Sequence, residues 1–457
     1  MYMSGKLIAP ERLRRLMYGL ETPVWQDGGR MAAAVNLDNA ATTPPFKVVA
    51  DTVAEQLLFY GSVGRGAGQK SRHTSAVYEE GRRVILDFFG AGTGKYGMFY
   101  AANTTDGINK LASALMSPRD RYGRLRNTDI LVVSTRMEHH ANDLPWRERA
   151  RTVYAEVGGD GRLVADDFER ILAKPEYKDM TKYVTVTAAS NVTGYVNDVR
   201  AIARVAHRYG ARIIVDGAQI AAHRKFSLTG RSPEEDIDFF VFSAHKMYSP
   251  YGGGGVIGPV DVLNDICPQF YGGGMVESVS DDTVIYTDAP DLFEAGSPSV
   301  PAIVGMQTAA KTLDMIGFDY IEAHEQQLLR KALDALMAIN KVVLYGDSIK
   351  IADRVGILVF NIGTLNPEYV AAQMAGRAGI ALRHGAFCAH PYVRRLQQNP
   401  HLDSQCHPPA GMVRASFGAY TTEQDIDLLV RTADVLAKEL GCSMAMGVNP
   451  RVPNDRG

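Results

Sequence analysis

The sequence predicts an α/β protein built on a mostly parallel sheet with helices on both faces. Short apolar strands alternate with amphipathic helices through the middle of the chain, and this alternation is typical of such a sheet. The chain has 457 residues, of which 46% are hydrophobic, and this is enough for a large core and a second, smaller domain. Polar residues follow several strands directly, where ligands bind in open parallel sheets.

The strands of the larger domain are predicted from short apolar runs. They are expected at residues 95–101, 130–134, 183–189, 212–215 and 237–242. Helices are predicted at 108–116 and at 198–209, where apolar residues recur at helical spacing. The second of these helices is followed by Gly210, a common stop signal.

The second region of the chain has a different pattern, which predicts a smaller α+β domain. A long helical stretch is expected at 303–339, with an interruption near Gly317. Further helices are predicted at 367–377 and 423–440, and strands at 356–362 and around 380–383. The predicted organisation is an N-terminal segment packing on the small domain (1–34), a large domain (35–305), a small C-terminal domain (306–445) and a flexible tail (446–457).

Composition excludes several classes of function. The 49 basic and 51 acidic residues give a formal charge of −2, without the basic face or tract that a nucleic-acid-binding protein needs. No apolar run approaches the roughly 18 residues of a membrane span, and the N-terminus lacks the features of a secretory signal. Four cysteines are too few and too dispersed for a disulfide framework, and their spacing indicates no metal site. We therefore expect a cytoplasmic protein that binds neither membrane nor nucleic acid.

Chemically useful side chains follow the predicted strands. Hydroxyls, imidazoles, amides, an acid and an amine are found there: Thr104, Thr105, His139, Asn191, Asp216, Gln219, Ser243, His245 and Lys246. Each alone has a simpler structural explanation, such as a threonine that caps a helix or a lysine that lies in solvent. Together they suit pyridoxal 5′-phosphate, which needs a lysine for a Schiff base, a carboxylate for its ring nitrogen and a helix N-terminus for its phosphate.

Seven segments resemble those of the class V, fold-type I pyridoxal-phosphate enzymes. They are LDNAATT (37–43), TTDGIN (104–109), EHHANDLPW (138–146), SNVTG (190–194), VDGAQ (215–219), SAHK (243–246) and FEAGSP (293–298). Within that group they are most similar to cysteine desulfurases and selenocysteine lyases, and they occur in the family's order from Leu37 to Leu440. The resemblance implies a large domain with a mostly parallel, seven-stranded type of sheet and a smaller α+β C-terminal domain.

The resemblance also implies roles for the residues of the cofactor site. Lys246 forms the Schiff base, Asp216 pairs with the pyridinium nitrogen, and His139 stacks on the ring and takes part in proton transfer. Gln219 and Asn191 approach the phenolic oxygen and the substrate. The phosphate is expected to contact Thr104, Thr105, Ser243 and His245. A hydroxyl at the position of Ser297 reaches the phosphate of the partner subunit in this family, and this implies a homodimer.

Residues of the second domain narrow the range of reactions that the enzyme could catalyse. Arg414, in VRASFGAY, resembles the arginine that binds the substrate α-carboxylate, and Arg383 and Asn39 are assigned to substrate binding with it. Cys388, in ALRHGAFCAHP, resembles the catalytic cysteine of desulfurases. The implied reaction converts L-cysteine to L-alanine and leaves a persulfide on Cys388. A sulfur-acceptor protein is then a further candidate partner.

Two readings besides desulfuration stay open. One is a class V aminotransferase, epimerase or C–S lyase that acts on another amino acid and does not use Cys388. The other is a non-catalytic regulator that has kept the pocket. Arg414 follows Cys388 by 26 positions, a longer separation than a desulfurase is expected to have. The extra residues, 394–411, could reshape the pocket, close over it, dock an acceptor or form an inert surface loop.

Overall fold

The computed structural model of the protein describes residues 10–64, 66–92, 94–398 and 409–445. The predicted tail at 446–457, and most of the additional segment at 394–411, lie outside these residues. The strands, numbered in chain order, are β1 Pro23–Gln26, β2 Arg30–Ala33, β3 Val35–Asn36, β4 Tyr96–Ala101, β5 Ile130–Thr135, β6 Arg151–Ala155, β7 Thr181–Thr187, β8 Arg212–Asp216, β9 Phe239–Ser243, β10 Gly254–Pro259, β11 Val276–Val279, β12 Val284–Tyr286, β13 Val342–Tyr345, β14 Ile357–Ile362, β15 Ile380–Ala381, β16 Arg383–Gly385 and β17 Met412–Ser416.

Helices connect most of these strands. In chain order they are α1 Pro10–Arg14, α2 Lys47–Leu57, α3 Gln69–Phe88, α4 Thr104–Leu115, α5 Leu144–Arg147, α6 Ala165–Leu172, α7 Val199–Arg208, α8 Val260–Leu263, α9 Val300–Ile316, α10 Phe318–Met337, α11 Pro367–Ala378, α12 His390–Gln397 and α13 Glu423–Ala445. In the chain that the structure describes, no helix combines the length and the apolar character needed to cross a membrane.

The larger sheet has seven strands in the order β4-β10-β9-β8-β7-β5-β6. The pairs among β5, β6, β7, β8 and β9 are parallel, and β10 runs antiparallel to both of its neighbours. Alternate residues of β5 enter different apolar cores, Leu131 and Val133 on one face and Ile130 and Val132 on the other. Both faces are therefore covered by helices, and the predicted mostly parallel α/β sheet is confirmed.

Strand β10 was not expected, because its sequence begins with glycines that indicate a loop. It lies between β4 and β9, and its glycines allow the chains to come close together. A Cβ built on Gly254 would lie 2.2 Å from the carbonyl oxygen of Phe242, and one on Gly255 would lie 2.4 Å from a methyl group of Met98. The glycines therefore fit a strand in a crowded sheet as well as a loop.

The second region forms a four-stranded antiparallel sheet in the order β13-β14-β17-β16. The predicted helical stretch at 303–339 is two helices, α9 and α10, which meet at Gly317. This glycine has a φ of 89°, which a residue with a side chain rarely adopts. Strands β13 and β17 were not predicted, although β17 carries Arg414.

The N-terminal segment and the start of the predicted large domain both contact the second region. Arg14 forms an ion pair with Asp425 at 3.0 Å, and β3 pairs in parallel with β15. Residues 10–20 also contribute Leu13, Met17 and Leu20 to the core of the larger sheet. The domain limits at 34/35 and 305/306 stay predictions.

Candidate active site

One edge of the larger sheet collects the ends of four strands. Thr187 lies opposite Asp216, and Ser243 lies opposite Gly254, which in turn pairs with Ala101. The loops that leave these positions open into a cavity of about 440 Å³. The second region closes the cavity from the other side, as expected for a ligand site at the carboxyl ends of parallel strands.

Most of the predicted site residues line this cavity. From the loops of the larger sheet come Thr104, Thr105, His139, Asn191, Asp216, Gln219, Ser243, His245 and Lys246. From the second region come Arg383, Cys388 and Arg414. The fold therefore brings to one cavity residues that lie up to 310 positions apart in the sequence, such as Thr104 and Arg414. Their individual roles stay predictions.

Two predicted site residues lie elsewhere. Asn39 is buried, and its side chain is fully engaged: Nδ2 donates to the carbonyl oxygens of Asn36 and Ser416, and Oδ1 accepts from the hydroxyl of Tyr420. Asn39 therefore supports the backbone behind the cavity. Ser297 is exposed and lies outside the cavity lining.

The start of α4 and the end of β9 form the hydroxyl-rich end of the cavity. The backbone N–H of Thr104 donates to Ser243 Oγ at 2.7 Å, and the two hydroxyls of these residues lie 2.7 Å apart. Thr105, in the first turn of α4, is exposed. The positive end of the helix dipole and these hydroxyls suit a phosphate group.

Lys246 lies three residues beyond the end of β9 and is partly buried. Burial lowers the pKa of its ammonium to about 8, and the carboxylate of Asp216 partly opposes this effect. An amine with this pKa is unprotonated in about a tenth of the molecules at pH 7, which is far more than for a lysine with its ordinary pKa. Lys246 is thus suited to nucleophilic attack on an aldehyde.

Asp216, at the end of β8, and Gln219, in the loop that follows, also line the cavity. Burial raises the pKa of Asp216, whose Oδ1 accepts a hydrogen bond from the backbone N–H of Ala218 at 2.9 Å. Gln219 Nε2 donates to the carbonyl oxygen of Ala40 at 2.8 Å. Gln219 Oε1 is buried and has no hydrogen-bond partner among the described residues. A buried unpaired amide oxygen is costly, so this atom calls for a donor from a ligand.

His139 presents a neutral imidazole to the cavity. Its Nδ1 accepts a hydrogen bond from the backbone N–H of Ala141 at 3.0 Å, so its proton is on Nε2. Burial lowers the pKa of His139 to about 3, and the positive charges of Lys246 and Arg414 add to this effect. A neutral, planar ring in this position can stack on an aromatic ligand.

Arg414, on β17, is buried beside an acid that sequence reasoning did not assign to the site. Its Nη2 donates to Asp38 Oδ1 at 2.8 Å, and its Nη1 donates to the carbonyl oxygen of Asn191 at 2.9 Å. Its Nε has no partner among the described residues. Asp38 lies within the LDNAATT segment, which was the available signal. Because Arg414 lines the cavity, its guanidinium is suited to bind an anionic group.

Cys388 lies in a tight turn before α12, and its side chain is exposed at the cavity. Cys388 and the preceding Phe387 have φ angles of 54° and 51°, in the left-handed region. Two loops of the larger sheet hold this turn: His140 N–H donates to the carbonyl oxygen of Cys388 at 2.7 Å, and Asn191 Nδ2 donates to that of Phe387 at 2.8 Å. His140 was not predicted from the sequence to contact this turn, and it lies outside the cavity lining.

The chemistry of these groups fits pyridoxal phosphate. Lys246 supplies the amine, Asp216 a buried carboxyl, His139 a flat neutral ring and the start of α4 a phosphate-binding end. The unpaired Gln219 Oε1 could accept a hydrogen bond from the bound cofactor. The described residues contain no group of three metal-binding side chains.

The family model for class-V aminotransferases matches residues 35–429. The chain belongs to this family. It is a pyridoxal-phosphate-dependent enzyme of fold type I, as the resemblance implied. The match covers both sheets and all of the residues that line the cavity.

Similar proteins of known name are cysteine desulfurases. The chain is 34% identical to the cysteine desulfurase of Haloferax volcanii over 416 residues, which is 89% of this chain and 90% of that protein. It is 33% identical to that of Klebsiella pneumoniae over 414 residues, 89% of this chain and 94% of the other. Among solved structures, the apo cysteine desulfurase of Thermococcus onnurineus NA1 superposes with a TM-score of 0.77 at 27% identity, covering 89% of this chain and 95% of the other.

A second solved structure is equally similar. The S-sulfonic acid form of the cysteine desulfurase CsdA from Escherichia coli has a TM-score of 0.77 and 28% identity. The alignment covers 95% of this chain and 100% of the other. These likenesses span 89–95% of the chain rather than a single motif.

Proposed function

We propose that the protein is a cysteine desulfurase, which converts L-cysteine to L-alanine and collects the sulfur on Cys388. One observation carries this proposal: the thiol of Cys388 lines the same cavity as Lys246, Asp216, His139 and Arg414. An aminotransferase or an epimerase has no use for a thiol at this place. The similarity to named cysteine desulfurases supports the same reaction.

In this proposal Lys246 holds the cofactor covalently and Asp216 bonds its ring nitrogen. The bound cofactor withdraws electrons from the Cα of an attached amino acid and so weakens the bonds around it. The guanidinium of Arg414, which lines the cavity, binds the substrate α-carboxylate, and Asp38 and the carbonyl oxygen of Asn191 hold it in place. His139, which lines the cavity, exchanges a proton with the substrate thiol in this proposal.

In the sulfur-transfer step the thiolate of Cys388 is the nucleophile. It attacks the substrate sulfur, an S–S bond forms, the Cβ–S bond breaks, and a proton takes the place of sulfur on Cβ. The net reaction turns cysteine and the Cys388 thiol into alanine and a Cys388 persulfide, without an external oxidant. Because Cys388 is exposed, its persulfide is accessible to a sulfur-acceptor protein, which we propose as a partner. A thiol that must stay reduced also favours a cytoplasmic setting.

We further propose that the active form is a homodimer. A second cavity, of about 420 Å³, shares the lining residues Ala102 and Gly252 with the first. Its lining also includes Gly296 and Pro298, the two residues that flank Ser297 in the sequence. Phe270 is 56% exposed at this second cavity. Exposed aromatic surface next to a site is a frequent mark of a subunit interface. Sedimentation of the cofactor-loaded protein should give about twice the mass of one chain.

The desulfurase proposal is tested at Cys388. Incubated with L-cysteine, the wild-type protein should gain about 32 Da on the peptide that contains Cys388, the mass of one sulfur atom in a persulfide. Cys388→Ser should lose alanine production by orders of magnitude, since a covalent nucleophile is removed. Cys267→Ser is the matched control, because Cys267 is a thiol outside the cavity. This control should keep wild-type activity.

Two results would contradict the proposal. The first is that no mass is gained on the Cys388 peptide at any time of incubation. The second is that alanine forms equally fast in Cys388→Ser and in Cys267→Ser. Either result would direct the search to class V enzymes that act on other amino acids.

A further inference from the structure

A pair of histidines lies beside the turn that carries Cys388. His140 and His390 stack with nearly parallel rings, whose centroids are 4.9 Å apart and whose planes differ by 9°. His390 Nδ1 lies 3.2 Å from His140 Nε2, and the backbone N–H of His390 lies 3.4 Å from the same atom. The backbone of His140 also bonds the carbonyl oxygen of Cys388. None of the proposed chemical steps uses either imidazole.

The contacts determine which ring nitrogens carry protons. A backbone N–H can only donate, so His140 Nε2 is an acceptor and the proton of this ring is on Nδ1. His390 must then carry a proton on Nδ1 in order to donate to the same atom. Both hydrogen bonds form only while His140 is neutral, because a protonated Nε2 can no longer accept them.

The turn itself needs external support. Two consecutive residues with side chains, Phe387 and Cys388, have left-handed backbone angles. Such residues persist only where surrounding contacts hold them. Asn191 holds the carbonyl oxygen of Phe387, and His140 and His390 hold the part of the turn that begins with Cys388.

We propose that His140 and His390 are positioning residues that keep the Cys388 turn at the cavity through the contact between their rings. The proposal rests on the proposed function in one respect, which is that the turn presents a sulfur-accepting thiol. The pair joins the loop that follows β5, which also carries His139, to the first residue of α12. It thus ties the predicted nucleophile to the wall of the cofactor cavity.

The pair should respond to acid. The charged groups that face His140 are His390, Asp143 and Arg147, and His139 lies close by with ring centroids 6.4 Å apart. Burial lowers the pKa of His140, and a positive charge on His390 adds to this effect. The neutral, bonded form is therefore present above that lowered pKa, and it is lost as the pH falls through it.

Hydrogen–deuterium exchange of the cofactor-loaded enzyme tests the pair without reference to activity. His140→Ala removes the acceptor but leaves the backbone bond to Cys388, so amides 386–390 should exchange at least about tenfold faster than in the wild type. His140→Gln places an amide oxygen near the position of Nε2 and should restore protection. His390→Asn, which keeps a donor near Nδ1, should also stay protected, whereas His390→Ala should not.

Two further readouts separate positioning from general destabilisation. Wild-type protection should weaken at acidic pH, and His140→Gln, which cannot titrate, should show a flat profile. The rate of sulfur transfer to Cys388 in a single turnover should fall about tenfold in His140→Ala and recover in His140→Gln, with KM for cysteine unchanged.

Equal protection in wild type and His140→Ala would overturn the inference, and so would equal loss of protection in the Ala and Gln variants. Loss of protection in His140→Ala with unchanged sulfur transfer would overturn the positioning role. A wild-type protein that forms no persulfide would instead refute the proposed function, and exchange would still decide whether the pair holds the turn.

Discussion

At the scale of single residues, burial tunes the groups of the cavity in different directions. It lowers the pKa of Lys246 to about 8 and that of His139 to about 3, and it raises the pKa of Asp216. One physical cause acts in all three, since a site poor in water disfavours whichever form is charged. The result is a reactive amine and a neutral ring within one cavity.

Lys246→Ala should abolish covalent attachment of the cofactor. The wild-type enzyme should absorb at about 400–430 nm, as a protonated Schiff base of this cofactor does, and borohydride should fix the cofactor to the chain. Lys225→Ala is the matched control, because Lys225 is an exposed lysine that pairs with Asp314 outside the cavity. A fixed adduct in Lys246→Ala, or a colourless wild type that cannot be loaded, would show that the lysine is misassigned.

Arg414→Ala and Asp216→Ala should affect different kinetic constants. The substrate carboxylate that Arg414 binds keeps its charge throughout the reaction, so its loss should raise KM by roughly 10–100-fold. Asp216 is expected to stabilise charge that develops in the reaction, so its loss should lower kcat by roughly 100-fold or more. Steady-state kinetics with L-cysteine measure both. The opposite pattern would mean that these two roles are exchanged.

At the scale of elements, the site depends on how closely strands approach one another. Strand β10 brings its first residues against the ends of β4 and β9, next to the loops that carry Thr104 and Lys246. The space for this approach exists only because Gly254 has no side chain.

Gly254→Ala should therefore destabilise the protein. Its Cβ would meet the backbone oxygen of Phe242 at 2.2 Å, and backbone in a sheet cannot move away freely. Overpacking of this kind costs about 1–3 kcal/mol, which thermal or urea unfolding measures. In Gly273→Ala, the control, nothing lies within 4 Å of the new Cβ. If both variants unfold at the same midpoint, crowding at β10 does not explain why residue 254 is a glycine.

At the scale of the whole molecule, a buried pair links the larger sheet to the second region. His223 is in the loop that follows β8, and its Nδ1 lies 2.7 Å from Oε1 of Glu325 on α10. Glu325 Oε2 accepts a hydrogen bond from the backbone N–H of Gly356, just before β14. One carboxyl group therefore joins the strand end that carries Asp216 to the smaller sheet.

Glu325→Ala should lower the free energy of unfolding by roughly 2–4 kcal/mol, because it leaves buried polar groups without partners. Glu322→Ala, on the same helix, removes only a partly exposed ion pair with Arg224 and should cost less than about 1 kcal/mol. Urea unfolding compares the two variants. A cost for Glu325→Ala no greater than that for Glu322→Ala would refute a linking role for the pair.

The sequence by itself determined the α/β class, the helix break at Gly317 and the nine strand-end residues of the larger sheet that line the cavity, whereas Arg383, Cys388 and Arg414 were assigned from the family resemblance. It could do so because hydrophobic periodicity is local, and because residues that follow parallel strands meet at one edge wherever those strands lie. Tertiary structure alone decided that glycines open β10, that Asp38 holds Arg414 across 376 positions, and that His140 meets His390 beside Cys388. The partners in these contacts are far apart in the chain, and a local motif such as LDNAATT can mark a residue as belonging to the site without showing which residue it contacts. Packing brings them together only when both sheets have formed.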